Sequence, residues 1–461
     1  MRRGSSFRVD VESASATGGF VRMRISVVGT GYLGAVHAAC MTSLGHEVVG
    51  YDTDAEKVKA LSNGVSPFFE PDFEQLLESA LATGRLSFTT CPGEAIRGAK
   101  LNFICVGTPQ HTGSDAADLS FVEAAVRTVA EFADCDSLIV GKSTVPVGTA
   151  QRLAADLGAK GDRRLELAWN PEFLREGMAV RDTLQPDRLV FGVTSEGAEK
   201  ALLEVYSKVI EGGTPYITTD LATAEMVKVA ANAFLATKIS FINAVAEVCE
   251  IADADIVTLS EALGYDERIG RRFLNAGLGF GGGCLPKDIR SFSARAGELG
   301  ASDALTFLRE IDKINMRRRD KVVSVAGALL GGDFLGRNVA VLGAAFKPNS
   351  DDVRDSPALN VAAAMHLKGA AVRVHDPKAI PNARRQFPTL TYCQTIEEAC
   401  QSADLVVLAT EWDAYRSMNP HEFLPIVREP RLLDARNAVD LHFWKEAGWR
   451  VYALGRGALN R

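Results

Sequence analysis

Twelve consecutive residues, Gly277-Leu278-Gly279-Phe280-Gly281-Gly282-Gly283-Cys284-Leu285-Pro286-Lys287-Asp288, bring together a thiol, an ammonium group and a carboxylate. Five of the first seven are glycine, a residue that accepts positive φ and lets backbone N–H groups approach a ligand. Pro286 marks the first turn of a helix, so Cys284 falls at a helix N-terminus. The positive end of the helix dipole and the neighbouring Lys287 both favour the thiolate, the nucleophilic form of cysteine. Asp288 returns to the same helical face one turn on. The chemistry on offer is covalent catalysis with a carboxylate in attendance. The same residue types also fit a glycine-rich turn around a buried, inert cysteine.

Other stretches add chemistry. Gly29-Thr30-Gly31-Tyr32-Leu33-Gly34 follows the apolar run Arg24-Ile25-Ser26-Val27-Val28 and opens a helix reaching Leu44. The next strand, Glu47 to Tyr51, ends at Asp52. This is the dinucleotide fingerprint: Gly29 for the tight turn, Gly31 for the pyrophosphate, Gly34 for helix packing, Asp52 for ribose hydroxyls. An acid here repels a 2′-phosphate, which favours NAD over NADP. Thr108, Ser143 and Thr144 follow the strands Leu101–Val106 and Ser137–Gly141, where they either line a cofactor or satisfy local backbone. In Asn170-Pro171-Glu172-Phe173-Leu174-Arg175-Glu176-Gly177, the four-residue spacing puts Glu172 and Glu176 on one helical face. There they handle protons or remain surface acids. Lys228 and Asn232 share a face of an Ala-rich helix and need a polar partner, unless the lysine snorkels to water. Lys347 and Arg436 each follow a strand and either grip a phosphate or stand as solvated charges.

The elements that must position these residues come in two alternating strand–helix series. One opens at Arg24 and the other at Asn338, after a linker at Asp333–Gly336. Between them, Leu221 to Ala252 carries no proline or glycine and reads as one helix. At about 48 Å it suits a spine or a dimer interface. A chain of 461 residues exceeds one core. The net charge of −7 argues against general nucleic-acid affinity. Eight cysteines without a CxxC pair read as reduced thiols of a cytoplasmic protein. No Cys/His cluster suggests a metal. No run of about 18 apolar residues suggests a membrane span. Residues 1–22 read as a disordered tail.

Five motifs, Gly29–Gly34, Asn170–Gly177, Lys228–Lys238, Phe273–Asp288 and Ala345–Pro357, together resemble the UDP-glucose dehydrogenase family of nucleotide-sugar 6-dehydrogenases. The resemblance implies two Rossmann-like, doubly wound α/β domains joined by a long central helix and a helical dimerisation region. The boundaries would be a cofactor domain at 23–220, a central domain at 221–332 and a UDP-sugar domain at 333–461. It implies a homodimer that oxidises UDP-glucose to UDP-glucuronate with two NAD⁺. By the same resemblance Cys284 is the nucleophile. Lys228, Asn232 and Asp288 surround the reacting carbon, Glu172 is the acid/base, and Thr144 serves both the chemistry and the cofactor. Tyr32, Leu33, Asp52, Lys57, Thr108, Ser143, Glu176, Lys287 and Arg354 join the fingerprint glycines on the cofactor side. On the substrate side stand Glu172, Phe173, Leu174, Glu176, Phe273-Leu274-Asn275-Ala276-Gly277, Gly281, Phe346, Lys347 and Arg436, with Arg268 reaching across the dimer. Gly283 and Leu285 depart from the family pattern Gly-Gly-Ser-Cys-Phe-Pro-Lys-Asp. GDP-mannose or UDP-N-acetylmannosamine as substrate, or a non-catalytic dinucleotide-binding subunit, are the competing readings.

Overall fold

Short runs of valine, isoleucine and leucine, closed by glycine or polar turns, become the strands of two sheets in a computed structural model. It describes residues 21–134, 136–159 and 165–460. The predicted N-terminal tail lies outside the described residues except for Val21 and Arg22. The chain divides into two compact units between Val229 and Ala230.

The first unit holds β1 (Arg24–Val28), β2 (Glu47–Tyr51), β3 (Leu86–Thr89), β4 (Leu101–Ile104), β5 (Leu138–Gly141), β6 (Glu166–Trp169), β7 (Leu189–Gly192) and β8 (Tyr216–Thr219). Their order is β3-β2-β1-β4-β5-β6-β7-β8. All neighbours run parallel except β6 and β7, which meet antiparallel at Trp169 and Gly192. Both faces of the sheet are covered, so its strands read as continuous apolar runs. Ile25, Val27, Phe103 and Val140 point into one core. Val28, Ile104, Ile139 and Leu167 point into the other. The strand predicted to reach Val106 stops at Ile104.

The second unit repeats the pattern. β9 (Asn338–Leu342), β10 (Ala371–His375), β11 (Thr391–Tyr392), β12 (Leu405–Leu408), β13 (Arg431–Asp434) and β14 (Arg450–Ala453) form a parallel sheet in the order β11-β10-β9-β12-β13-β14. In each sheet the first strand lies between its second and fourth, which places a ligand crevice beyond the carboxyl ends at that reversal. Helices Leu285–Glu298 and Thr306–Leu329 pack against one another in this unit.

The long helix runs from Leu221 to Ala252, as predicted. Among the described residues no other helix is long and apolar enough to cross a membrane. Five polar side chains along it are nevertheless buried: Glu225, Lys228, Asn232, Ser240 and Asn243. Each is bonded to protein. Glu225 caps the helix Thr149–Ala159, accepting the N–H groups of Gly148 at 2.7 Å and Ala150 at 2.6 Å. A carboxylate at a helix N-terminus satisfies orphan donors and meets the favourable end of the dipole. Removing it strands one buried and one part-buried donor. We expect Glu225→Ala to cost about 3 kcal/mol, read as a lowered urea midpoint for the unit's tryptophan signal. An unchanged midpoint would show that water replaces the cap.

Candidate active site

In the first unit the fingerprint turn is built as its glycines demand. Gly29 has φ +88°, and a Cβ there would meet Val106 Cγ1 at 2.8 Å. A Cβ on Gly34 would lie 1.8 Å from Gly29 O, so helix and strand touch through it. Around Gly31 nothing lies within 4 Å of a Cβ, which leaves that face open to a pyrophosphate. Asp52, at the end of β2, is buried and closes the turn. Its Oδ2 accepts Thr30 N at 2.8 Å, and Lys57 Nζ at 2.9 Å. Burial works to raise its pKa, but hydrogen bonds from Lys57 and from the amides of Asp54 and Thr30 outweigh it. The carboxyl is held below the usual range. Thr108 donates to Thr144 O at 2.8 Å and Ser143 to Val106 O at 2.6 Å, so both hydroxyls tie the strand ends together.

The stretch Asn170–Gly177 is not a helix, contrary to the reading from the Glu172/Glu176 spacing. It is an extended loop, and the next helix begins at Ala179. Pro171 disfavours helix at Asn170, and Gly177 takes φ +78°. Glu172 turns back on the loop to accept Leu174 N at 2.8 Å. Its other oxygen lies 3.0 Å from Lys228 Nζ. Both side chains are largely buried, so Lys228 is paired inside the protein rather than snorkelling. Phe173 stacks under the Arg188 guanidinium at 3.9 Å, and Leu174 packs on the core. The loop's far end is fastened by Glu70, a buried acid that the sequence did not single out. It accepts Gly177 N and Ala179 N, both at 2.6 Å, and pairs with the Tyr32 hydroxyl. Burial, then Glu70 itself, pushes that phenol's pKa up. No local pattern marks Glu70; its partners Tyr32, Gly177 and Ala179 lie 38, 107 and 109 residues away.

In the second unit Cys284 occupies the N-cap of the helix Leu285–Glu298, with Pro286 in its first turn. The thiol is exposed, which removes the buried, inert reading. Asp288 is buried one turn on, its N–H bonded to Cys284 O at 3.0 Å. Asn232 donates to Asp288 Oδ2 at 2.6 Å, and Lys287 pairs with Oδ1 at 2.6 Å. Asp288, one turn beyond the thiol, therefore meets both Asn232 and Lys287, while Lys228 pairs with Glu172.

The glycines before Cys284 allow close packing. A Cβ at Gly281 would meet Asp355 O at 2.3 Å, and one at Gly282 would meet the Phe346 ring at 2.8 Å. At Gly283 it would meet the Arg354 guanidinium at 2.2 Å, so the absent serine makes room for Arg354. Three guanidiniums hold the loop's carbonyls. Arg318 donates to Gly277 O at 3.1 Å, Arg436 to Gly279 O at 2.8 Å and Arg319 to Phe280 O at 3.2 Å. Arg436 is thus an internal brace, not a solvated charge. Phe273 is held at φ +65°, a strained position for a large side chain. Leu274 and Ala276 are buried while Asn275 is exposed. Lys347 Nζ lies 5.3 Å from the centre of the Phe346 ring. Arg268 stands out in solvent, paired with Asp266 at 2.6 Å.

Comparison with known proteins gives a consistent result. Three family models match: the UDP-glucose/GDP-mannose dehydrogenase NAD binding domain over residues 23–210, the central domain over 222–317 and the UDP binding domain over 340–441. A UDP-glucose 6-dehydrogenase from Rickettsia typhi is 41% identical over 435 residues, 94% of this chain and 99% of that one. The structure of a UDP-glucose dehydrogenase from the hyperthermophilic archaeon Pyrobaculum islandicum matches with TM-score 0.87 and 38% identity, covering 95% and 98%. That of a UDP-D-ManNAc dehydrogenase from Pyrococcus horikoshii gives TM-score 0.83 and 28% identity, covering 95% and 100%.

If Glu70 fastens the Asn170–Gly177 loop, Glu70→Ala will free the amides of Gly177 and Ala179. Losing a buried acceptor costs about 1–3 kcal/mol. Hydrogen exchange at those two amides should quicken about tenfold or more, while β1 and β4 keep their protection. Unchanged exchange at Gly177 would show that the loop is held elsewhere.

Proposed function

The chain belongs to the UDP-glucose/GDP-mannose dehydrogenase family, and from that premise we propose that it oxidises UDP-glucose to UDP-glucuronate with two NAD⁺ through a covalent link to Cys284. The observation that carries this reading is the exposed thiol at a helix N-terminus, one turn ahead of a buried Asp288 fixed by Asn232 and Lys287. The open face at Gly31 and the carboxylate at the end of β2 suit an adenosine ribose and pyrophosphate. Negative charge at Asp52 disfavours a 2′-phosphate, so NAD is the cofactor. The higher identity to a UDP-glucose enzyme than to a UDP-D-ManNAc enzyme favours glucose as the sugar.

Bound NAD⁺ supplies the hydride acceptor for both oxidations. The chain supplies the rest. The first oxidation removes a proton and a hydride from the C6 alcohol and yields an aldehyde. Cys284 adds to it, giving a thiohemiacetal that keeps the aldehyde from escaping. The second oxidation turns the thiohemiacetal into a thioester, and water cleaves it to release the acid and the thiol. Lys228 and Asn232 stabilise the negative oxygen as it forms. Glu172 and Asp288 take the protons and order the water. The covalent link has a reason in the chemistry: a free aldehyde would leave between two oxidations of one carbon. We read residues 23–220 as the cofactor segment, 221–332 as the central one and 333–461 as the UDP-sugar segment, where Lys347 faces the nucleotide and Arg436 braces the glycine loop from within. The seven described cysteines are all free thiols, which suits a reducing compartment such as the cytoplasm.

We also propose a homodimer. Phe234, Phe241 and Val248 recur every seven residues on the long helix and are 65%, 53% and 63% exposed, with Ile251 at 85%. A stripe of that size asks for a partner, and a second copy would bring Arg268 to its neighbour's site. Phe241→Glu should convert the dimer to monomer in sedimentation and abolish turnover; a fully active monomer would refute both the interface and the shared arginine.

Incubation with NAD⁺ and UDP-glucose should yield two NADH per UDP-glucuronate, followed at 340 nm. GDP-mannose and UDP-N-acetylmannosamine should be turned over poorly. Cys284→Ser should bind both ligands but turn over slower by several orders of magnitude, because serine lacks an accessible anion and forms a less reactive ester. Near-normal turnover of that variant to the acid would refute the covalent route.

A further inference from the structure

Lys142 is a buried cation that the chemistry above does not use. It follows β5 directly, before Ser143 and Thr144, and is 6% exposed. Among the described residues it makes no ion pair with a carboxylate. Its Nζ instead donates to Asn170 Oδ1 at 2.9 Å, to Tyr206 Oη at 3.2 Å and to Asn170 O at 3.4 Å. The Tyr206 hydroxyl donates in turn to Asn170 Oδ1 at 2.8 Å. The faces of Phe103 and Tyr206 lie 5.8 and 5.7 Å away, a further attraction for a cation. Three acceptors face one nitrogen. An ammonium has three N–H groups and fills them; a neutral amine has two and leaves one empty. Asn170 is also bonded to Gly141 O through its N–H and to Val190 O through its amide. It directly precedes Pro171 and Glu172.

We propose that Lys142 is a positioning residue, whose ammonium holds Asn170 and thereby fixes the stem of the loop that presents Glu172. This rests on the reading of Glu172 as the acid/base. Five titratable groups face or surround Lys142: His37 from the first helix, Cys105 beyond β4, Tyr206, Glu172 on the loop and Lys228 on the long helix. Burial pushes the Lys142 ammonium down to about 8. Cys105 and Glu172 oppose the shift, and Lys228 adds to it. Burial also pushes His37 well below its usual value, Cys105 up to about 12 and Tyr206 upward. Those three therefore keep their charge between pH 7 and 9, while Lys142 loses its own. Its hold on Asn170 is complete below pH 8 and weakens as pH rises through it.

The test uses the whole enzyme with NAD⁺ and UDP-glucose. Lys142→Met fills the space without a donor. We expect kcat to fall about tenfold or more, as for a small displacement of a reacting group, with KM for NAD⁺ within about twofold. In the unsubstituted enzyme kcat should fall with a midpoint near pH 8, a fall absent from Lys142→Met, and Lys142→Gln, which keeps a donor, should recover part of kcat. An unchanged kcat and alkaline limb in Lys142→Met would overturn the proposal. If that variant does not fold, the unsubstituted enzyme still decides. The side-chain amide signal of Asn170, from selectively labelled protein, should shift with a midpoint near pH 8, and a flat titration would overturn it. Glu172→Gln separates the two readings: if it stays active the acid/base role falls, while the Asn170 titration still reports on Lys142.

Discussion

A buried polar group without a partner is costly, and that constraint governs the long helix Leu221–Ala252. Most of the helix is apolar, yet five polar side chains are carried inside on it. Glu225 caps a neighbouring helix, and Lys228 pairs with Glu172. Asn232 donates to Asp288, Ser240 to Ile311 O, and Asn243 accepts Gly277 N. Each pairing fixes the helix against one element and fixes that element in return. Two of them, Lys228 and Asn232, are the groups proposed above to stabilise the negative oxygen, so on that proposal the residues that hold the helix also hold the chemistry.

The cysteine loop meets the same constraint differently. A glycine-rich segment has little side-chain packing of its own and loses much entropy on ordering. Here its carbonyls are taken by Arg318, Arg319 and Arg436, and Asn315 both donates to Phe280 O and accepts Phe280 N. Arg318 is fully buried and uses only part of its guanidinium. Nη1 and Nη2 lack a hydrogen bond, although Glu247 lies 3.8 Å from Nη1. Burial lowers the pKa of this group, with Glu250 and Glu247 opposing. Holding the loop this way leaves Cys284 exposed while the backbone before it is fixed, the rigid support that the proposed nucleophile would need.

Much of this was legible in the sequence, and the reason is locality. A parallel strand buried on both faces must be apolar throughout, so β1, β2 and β9 show in composition. The fingerprint glycines show because the tight turn itself demands them: Gly29 at positive φ, and Gly34 against Gly29 O. The long helix was legible because no Gly or Pro interrupts Leu221–Ala252. The i, i+4 relation of Cys284 and Asp288 held because both sit in one helical turn. The same spacing failed at Glu172 and Glu176, where Pro171 and a bond from Gly177 to Glu70 keep the chain extended.

By itself, then, the sequence determined which residues could act and the elements that bear them: the thiol at a helix start, the paired lysine and amide, the carboxylate after β2. Only the tertiary structure decided their partners. Glu70, Lys142, Glu225, Arg318 and Arg319 carry no local signature, because their acceptors and donors come from segments 28 to 109 residues distant. Periodicity reports which face of an element is apolar. It says nothing of which remote backbone group will need a charge once water has been excluded.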